Sequence, residues 1–332
     1  MKAMILAAGF GTRLHPLTHT VPKPMVPIMN RPILEHTIHL LRTHGIQDIT
    51  VNLHHLPEII KDHFGDGKDF GVNLHWSYEP EILGTAGGIK KAQEFLDGEA
   101  FLVINSDVVT DCELSKVIAF HKAKGSALTL VVRQGESPEQ CDPIEVDADD
   151  RIVHIVGTSM KNKPDDTTRI LFTGIQVMEP EIFDRIPDNK FYGTTTDVFP
   201  GMLADALPMF TYWHHGYWKD IGTIQSYLDV HKDLLDERME GGLPIENNNP
   251  SNGHLTQPVL IGKNCKIADT ANIGPYAVLG DNCTVGDHAA IENSICWQGV
   301  TLGKNSHVKQ SVLGNGVTVK DKQTLDKKTL AH

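Results

Sequence analysis

Leu6-Ala7-Ala8-Gly9-Phe10-Gly11-Thr12-Arg13-Leu14, preceded by Ala3-Met4-Ile5, is the stretch on which the reading of this chain turns. Ala3 to Ala8 reads as a buried strand that empties straight into a glycine turn. Glycine at positions 9 and 11 allows positive φ and lets backbone approach a ligand with no Cβ in the way. Such a turn leaves successive N–H groups pointing into one concavity, which suits phosphate oxygens. Arg13 adds a planar guanidinium fork, and Lys23 in Val21-Pro22-Lys23-Pro24-Met25 adds a compact point charge. Prolines on both sides of Lys23 fix its backbone, as an aimed side chain requires. The stretch is a site for a polyphosphate.

Two other glycine motifs are excluded. A dinucleotide fingerprint needs a third glycine where this chain has Leu14. A P-loop closes on Gly-Lys-Ser/Thr, which is absent here. Working outward, apolar runs alternate with helical patterns up to about residue 237, which predicts a Rossmann-like, doubly wound, mostly parallel α/β sheet. The expected strands are 3–8, 48–52, 72–76, 101–105, 127–132, 170–177 and 210–214. The expected helices are 33–43, 57–64, 86–95, 114–124 and 224–235, the first entered through Pro32. In such sheets ligands collect at the carboxyl ends of the strands, where the glycine turn and Asn105-Ser106-Asp107 both fall.

Past Gly241 the composition changes to Pro244, Asn247-Asn248-Asn249-Pro250 and Ser251-Asn252-Gly253, a turn-rich linker. Beyond it Ile261, Ile267, Ile273, Leu279, Val285 and Ile291 recur every six residues, and Leu302 and Val308 resume the spacing after an irregular 294–299 stretch. A period of six is foreign to an α-helix and marks a short left-handed parallel β-helix of about four coils. The expected division is a nucleotide-handling domain at 1–240, a linker at 241–256, the hexapeptide β-helix at 257–325 and a tail at 326–332. A short solenoid exposes its coil ends, so a homo-oligomer built through the β-helix is expected.

At 332 residues and net charge −12, with a sequence pI near 5.8, the chain is poorly suited to nucleic acid or an anionic membrane. The apolar run after Lys2 stops at Gly9, too short for a signal peptide or a membrane span. Five cysteines, at 112, 141, 265, 283 and 296, are odd in number and never spaced as CxxC. They read as reduced thiols of a cytoplasmic protein. The doublets His54-His55 and His214-His215 do not form ready bidentate metal ligands, because adjacent strand residues face opposite ways.

The Gly9-Phe10-Gly11-Thr12-Arg13-Leu14 continuation, with Pro16-Leu17-Thr18 and Pro22-Lys23-Pro24, resembles the signature of the sugar-1-phosphate nucleotidylyltransferases. That family joins a nucleoside triphosphate to a sugar 1-phosphate, giving an NDP-sugar and pyrophosphate. The resemblance implies that Ala8, Gly9, Gly11, Thr12, Arg13 and Lys23 bind the nucleotide, with Gly84 and Thr85 of Leu83-Gly84-Thr85-Ala86-Gly87-Gly88 at the base. It also implies Mg²⁺ held by Asp107 and by Asp220 of Trp218-Lys219-Asp220-Ile221-Gly222-Thr223. Magnesium suits such a site because it takes one or two carboxylates together with phosphate oxygens and water. On residue type alone either aspartate serves equally as an Asx turn or helix cap, and Thr85 as an N-cap. Val51-Asn52 is a shorter family-like match near the base or sugar. Asp107, Gly174 and Asp220 are expected to meet the sugar.

The overall build looks most like the mannose-1-phosphate guanylyltransferases, which implies GTP and mannose 1-phosphate as substrates. The sugar half departs from that pattern. Cys141-Asp142-Pro143-Ile144 stands where the family shows Tyr-Gly-Val, and Pro143 has no N–H to offer. Ile155-Val156-Gly157-Thr158-Ser159 lacks the Glu-Lys-Pro lysine that grips the sugar phosphate, leaving Lys161 or Lys163 as substitutes. Leu171-Phe172-Thr173-Gly174-Ile175 looks closer to the N-acetylmuramate-1-phosphate uridylyltransferases. Three alternatives therefore stay open. One is UTP- or dTTP-dependent transfer to glucose, N-acetylglucosamine or N-acetylmuramate types. Another is a non-catalytic NDP-sugar-binding regulatory subunit. The last is an acyltransferase tail, with His288 or His307 as base.

Overall fold

The apolar runs of the first half become the strands of one sheet, in a computed structural model that describes residues 1–135, 142–243, 247–248 and 252–331. These strands are β1 (Ala3–Leu6), β2 (Asp48–Leu53), β3 (Asn73–Tyr78), β4 (Phe101–Asn105), β5 (Leu128–Arg133), β6 (Leu171–Met178) and β7 (Met209–Trp213). Their order across the sheet is β7-β5-β6-β4-β1-β2-β3. Pairs β1–β4, β1–β2, β2–β3 and β5–β7 are parallel, whereas β6 runs antiparallel to both β4 and β5. The sheet is therefore mixed but mostly parallel, and the carboxyl ends of β1 to β5 and of β7 share one edge. Continuous aliphatic runs such as Phe101-Leu102-Val103-Ile104 are buried on both faces, as a strand covered by helices requires.

Helices α1 (Ile33–Thr43), α2 (Pro57–Phe64), α5 (Leu114–Lys124) and α7 (Ile224–Leu235) occupy the expected segments. The helix expected over 86–95 is broken into α3 (Gly84–Lys91) and α4 (Gln93–Leu96) at Ala92, whose ψ of 8 lies outside the helical range. α6 (Phe199–Ala204), entered through a π-turn at Thr194–Val198, had no clear periodic signal. Nor had a small antiparallel sheet of Ile144–Val146, Ile152–Ile155, Thr158–Ser159 and Thr168–Arg169. These strands are too short to show alternation. Yet Ile144, Val146, Ile152 and Ile155 join the core cluster of Met4, Phe101, Val103, Leu128 and Leu130. Cys141 lies outside the described residues, as do Pro244, Asn249-Pro250, Ser251 and His332.

The hexapeptide stretch forms three parallel sheets of five, five and four strands. Leu260 pairs with Val278, eighteen residues on (278 − 260), but Val278 pairs with Ile295 and Ile295 with Val312, seventeen on in each case. The irregular 294–299 stretch is thus a coil shorter by one residue. Cys296 follows Ile291 by five instead of six, and takes the inward position with no exposed surface. The other described cysteines, 112, 265 and 283, are also unbridged. Among the described residues no helix is long and apolar enough to cross a membrane.

The chain separates into two compact units that cut across its linear order. The first comprises Met1–Gly9, Thr37–Val108 and Cys112–Trp218, and contains the whole seven-stranded sheet. The second comprises Phe10–His36, Val109–Asp111 and Lys219–His332. Phe10–His36 joins the β-helix unit through specific bonds. Tyr227 Oη donates to Pro27 O at 2.6 Å and accepts from Trp297 Nε1 at 3.0 Å, and Asn30 Nδ2 donates to Leu279 O at 2.8 Å.

Candidate active site

In the first unit, Ala7 and Ala8 continue β1 past its ladder and stay buried, while Gly9 is exposed. The Ala7 N–H donates to Asn52 Oδ1 at 2.7 Å, and Asn52 Nδ2 donates to Glu79 Oε1 at 2.7 Å. Glu79 Oε2 then accepts from the Leu83 N–H at 3.0 Å. Asn52 and Glu79 are both buried, so this network ties the end of β1 to the opening of α3 through polar groups that water cannot serve. Gly88 makes room for it, because a Cβ there would lie 2.7 Å from Glu79 Oε1 and 2.8 Å from Asn52 Nδ2. The sequence pointed to Asn52 but not to Glu79. The available signal was an acid directly after a strand and before Pro80.

The glycines of Leu83-Gly84-Thr85-Ala86-Gly87 admit another part of the chain itself. Gly84 has φ +72, and a Cβ on it would sit 2.6 Å from Tyr192 O; one on Gly87 would sit 2.4 Å from Lys190 O. Tyr192 O in turn accepts from the Ala86 and Gly87 N–H groups at 2.9 and 3.2 Å. Thr85 does not cap α3, whose N-cap is Leu83 without a side-chain bond. Its hydroxyl accepts from Thr194 N at 2.8 Å, pinning the π-turn.

Asp107 is half-buried at the carboxyl end of β4. The preceding Ser106 N–H donates to Leu6 O at 3.1 Å, which extends the β1–β4 ladder up to that carboxylate. Gly174, with φ +80, lies in a bulge where β6 loses register with β5 between Phe172 and Gln176. A Cβ on it would strike Asn105 Nδ2 at 2.6 Å. Nearby, Trp218 Nε1 donates to Thr173 O at 2.9 Å, and Thr173 Oγ1 donates to Val131 O at 2.7 Å. Burial holds the Asp142 carboxyl above its ordinary range, although it accepts from Phe172 N at 2.6 Å. Lys163, read from the sequence as a substitute cation, is ion-paired with Glu145, which also accepts from Thr167 Oγ1.

In the second unit, Gly11 is left-handed at φ 65 and opens the 3₁₀ turn Thr12–Leu14. Its carbonyl accepts from Leu14 N at 2.9 Å and from Thr18 Oγ1 at 2.8 Å. A Cβ on Gly11 would meet Lys23 Cβ at 3.0 Å, so the glycine and the lysine pack directly together. Of the two glycines expected to take positive φ only Gly11 does; a Cβ on Gly9 would meet nothing within 4 Å. Thr12 and Arg13 are exposed, and Lys23 is half-buried. Arg13 and Asp220 converge on Gly222. The position a Cβ would occupy there is 2.7 Å from Asp220 Oδ2 and 3.0 Å from both Arg13 Nη1 and Nη2. That bare glycine was not singled out in the sequence.

A divalent cation fits this donor chemistry. Asp107 in the first unit and Asp220 in the second each offer hard carboxylate oxygens at a half-buried position. Among the described residues no three His, Cys, Asp or Glu side chains form a cage of their own. Hard oxygens of this kind suit Mg²⁺, which takes one or two carboxylates together with phosphate oxygens and water.

A mixed α/β sheet with a phosphate-type turn leaving its first strand, joined to a β-helix, defines a class of nucleotide-handling transferase. The model of the nucleotidyl transferase family matches residues 2–237, and one described as the EIF2B subunit epsilon LbH domain matches 247–331. The chain belongs to the nucleotidyl transferase family and is a sugar-1-phosphate nucleotidyltransferase. It is 33% identical to a mannose-1-phosphate guanyltransferase of Schizosaccharomyces pombe, across 97% of this chain and 93% of that protein. It is 32% identical to a UTP–glucose-1-phosphate uridylyltransferase of Synechocystis sp., across 93% of this chain and 86% of that protein. In fold it is similar to the crystal structure of HddC from Yersinia pseudotuberculosis. The TM-score is 0.58 and the identity 24%, covering 69% of this chain and 97% of that one.

Proposed function

We propose that this enzyme makes GDP-mannose and pyrophosphate from GTP and mannose 1-phosphate with Mg²⁺. The observation that carries the choice of substrates is the likeness to the Schizosaccharomyces pombe guanyltransferase, which runs through the β-helix as well as the sheet domain. The backbone from Ala8 to Thr12, with Arg13 and Lys23, holds the triphosphate, and Gly84 and Thr85 border the base. Asp107 and Asp220 carry the metal and, with Gly174, border the sugar. When bound, Mg²⁺ supplies charge neutralisation at the reacting phosphates.

The protein's own part is positioning. The Gly11 turn fixes Lys23 Cβ against it, which aims the ammonium. The guanidinium of Arg13 converges with the Asp220 carboxylate over Gly222, and there it stabilises charge that builds on the leaving pyrophosphate. Asn52 and Glu79 set the height of the β1 end and of α3 through one buried network. The working domains are 1–240, 241–256, 257–325 and 326–332, with the β-helix as the element of homo-oligomer assembly and the cytoplasm as the compartment.

A second reading is favoured by the Synechocystis relative: UTP with glucose 1-phosphate on the same site. The test is pyrophosphate release with Mg²⁺ over a grid of GTP, UTP, dTTP, CTP and ATP against mannose-, glucose-, glucosamine- and muramate-type 1-phosphates. A dominant GTP/mannose cell supports the first reading, and a dominant UTP/glucose cell replaces it with the second. A blank grid with tight NDP-sugar binding would move the chain to a regulatory role.

A further inference from the structure

A sugar 1-phosphate brings a dianion into the site, and residues 155–159 hold no lysine or arginine to meet it. Ile155 there is a buried strand residue, and Lys163 is already paired with Glu145. The sheet itself supplies a cation elsewhere. Arg133 is the last residue of β5, at the edge where the carboxyl ends of β1, β2 and β4 also lie. Leu128, Leu130 and Val132 alternate into the core cluster, so Arg133 takes the opposite face.

Its guanidinium is held from two directions. Nη1 donates to Gly216 O at 2.6 Å, and the guanidinium carbon lies 6.0 Å from the centre of the Trp218 ring. Trp218 is anchored by its bond to Thr173 O, next to the Gly174 bulge. Among the described residues Gly216 O is the hydrogen-bond partner of this guanidinium, which has five N–H donors in all. Resting on the reading of the chain as a sugar-1-phosphate nucleotidyltransferase, we propose that Arg133 is the residue that grips the phosphate of the sugar 1-phosphate. It does so through a two-pronged pair that the Gly216 carbonyl and the Trp218 ring preorganise. A lysine in its place keeps the charge but loses both the fork and the guanidinium's placement beside the tryptophan ring.

The test uses the full chain with Arg133→Gln and Arg133→Lys, on the substrate pair that the wild type turns over best. Two charge-assisted hydrogen bonds lost from the phosphate raise the KM for sugar 1-phosphate about 30-fold or more in Arg133→Gln. The KM for the nucleoside triphosphate and the melting temperature stay near wild type, and Arg133→Lys recovers part of the loss. Titration calorimetry with the sugar 1-phosphate alone shows the same order of affinities. An unchanged KM for sugar 1-phosphate in Arg133→Gln, with the wild type active, overturns the assignment and leaves the enzyme class standing. A KM that rises equally for both substrates in both variants, alongside a fall in melting temperature, overturns it in favour of a structural role. A wild type that turns over no pair removes the functional reading and this assignment with it.

Discussion

Replacing Gly222 by alanine puts one methyl group between Arg13 and Asp220 and separates their role in chemistry from any role in folding. Gly222 is not among the positive-φ glycines, so alanine fits its backbone. The new Cβ would lie 2.7 Å from Asp220 Oδ2 and 3.0 Å from the two Arg13 Nη atoms, where ordinary contact begins at 3.4 Å. The carboxylate must therefore retreat by about 0.7 Å and the guanidinium by about 0.4 Å (3.4 − 2.7 and 3.4 − 3.0). Both are the far ends of flexible side chains, so the fold yields at a cost of roughly 1 kcal/mol, part of it offset by the stiffer unfolded chain. Catalysis is less forgiving: displacements of this size cost about 10- to 100-fold in kcat/KM, or about 1.4–2.7 kcal/mol of transition-state stabilisation. The assay is pyrophosphate release at saturating Mg²⁺, with melting followed by circular dichroism. The expected result is that drop in kcat/KM with a melting temperature within about 3 °C of wild type. An undiminished kcat/KM would refute the placing of Arg13 and Asp220 in the reaction, and a collapsed melting temperature would refute the claim that Gly222 serves only the site.

Asp107→Asn and Asp220→Asn are each expected to lower kcat by about a thousandfold at saturating Mg²⁺ with native melting behaviour, read in the same pyrophosphate assay. Asn52→Ala leaves the Ala7 N–H and the Glu79 carboxylate without their partner inside the first unit. Urea unfolding should show a loss of about 2–4 kcal/mol, with a raised KM for the triphosphate. Gly87→Ala drives a methyl group to within 2.4 Å of the Lys190 carbonyl, which cannot swing aside as a side chain would; a stability loss of at least about 2 kcal/mol in urea is expected. His231 governs an acid limb of stability. It accepts from Met29 N at 3.2 Å through Nε2, so Nδ1–H donates to Tyr227 O at 2.9 Å and the ring must be neutral. Burial, with His36 nearby, depresses its pKa to about 4 against 6.5 unfolded. The unfolded chain thus takes up the proton first, and the contribution is whole above about pH 6.5 and lost as pH falls towards 4. It amounts to about 3 kcal/mol. Denaturant unfolding at pH 7 and pH 4.5 should show this fall in the wild type and a shallower one in His231→Gln.

Much of the fold is written in short-range pattern. The expected runs became the strands of the large sheet because a covered strand needs a continuous aliphatic run, which a reader can see. The six-residue spacing found the β-helix, and its apparent lapse at 294–299 was a coil of seventeen residues with Cys296 turned inward. The small sheet around Ile144 and Ile152 escaped because two- to four-residue strands carry too few side chains to display a period.

Asp107 and Asp220 were set apart from ordinary turn or cap aspartates only by the family resemblance, whereas the sequence by itself determined the sheet-plus-solenoid architecture and the glycine turn at Gly11 with Arg13 and Lys23 near it. Each of these rests on neighbours within a few residues of one another, where backbone geometry ties residue type to conformation. The tertiary structure alone decided how Arg13 and Asp220 meet over a bare Gly222, more than two hundred positions away from the arginine. It also decided that Glu79 is the buried bridge between Asn52 and Leu83, that Tyr192 fills the space the Gly84 motif leaves, and that Arg133 rests against Trp218. Contacts between residues so far apart leave no local period or spacing in the chain. They come into being only when packing closes the loop between them.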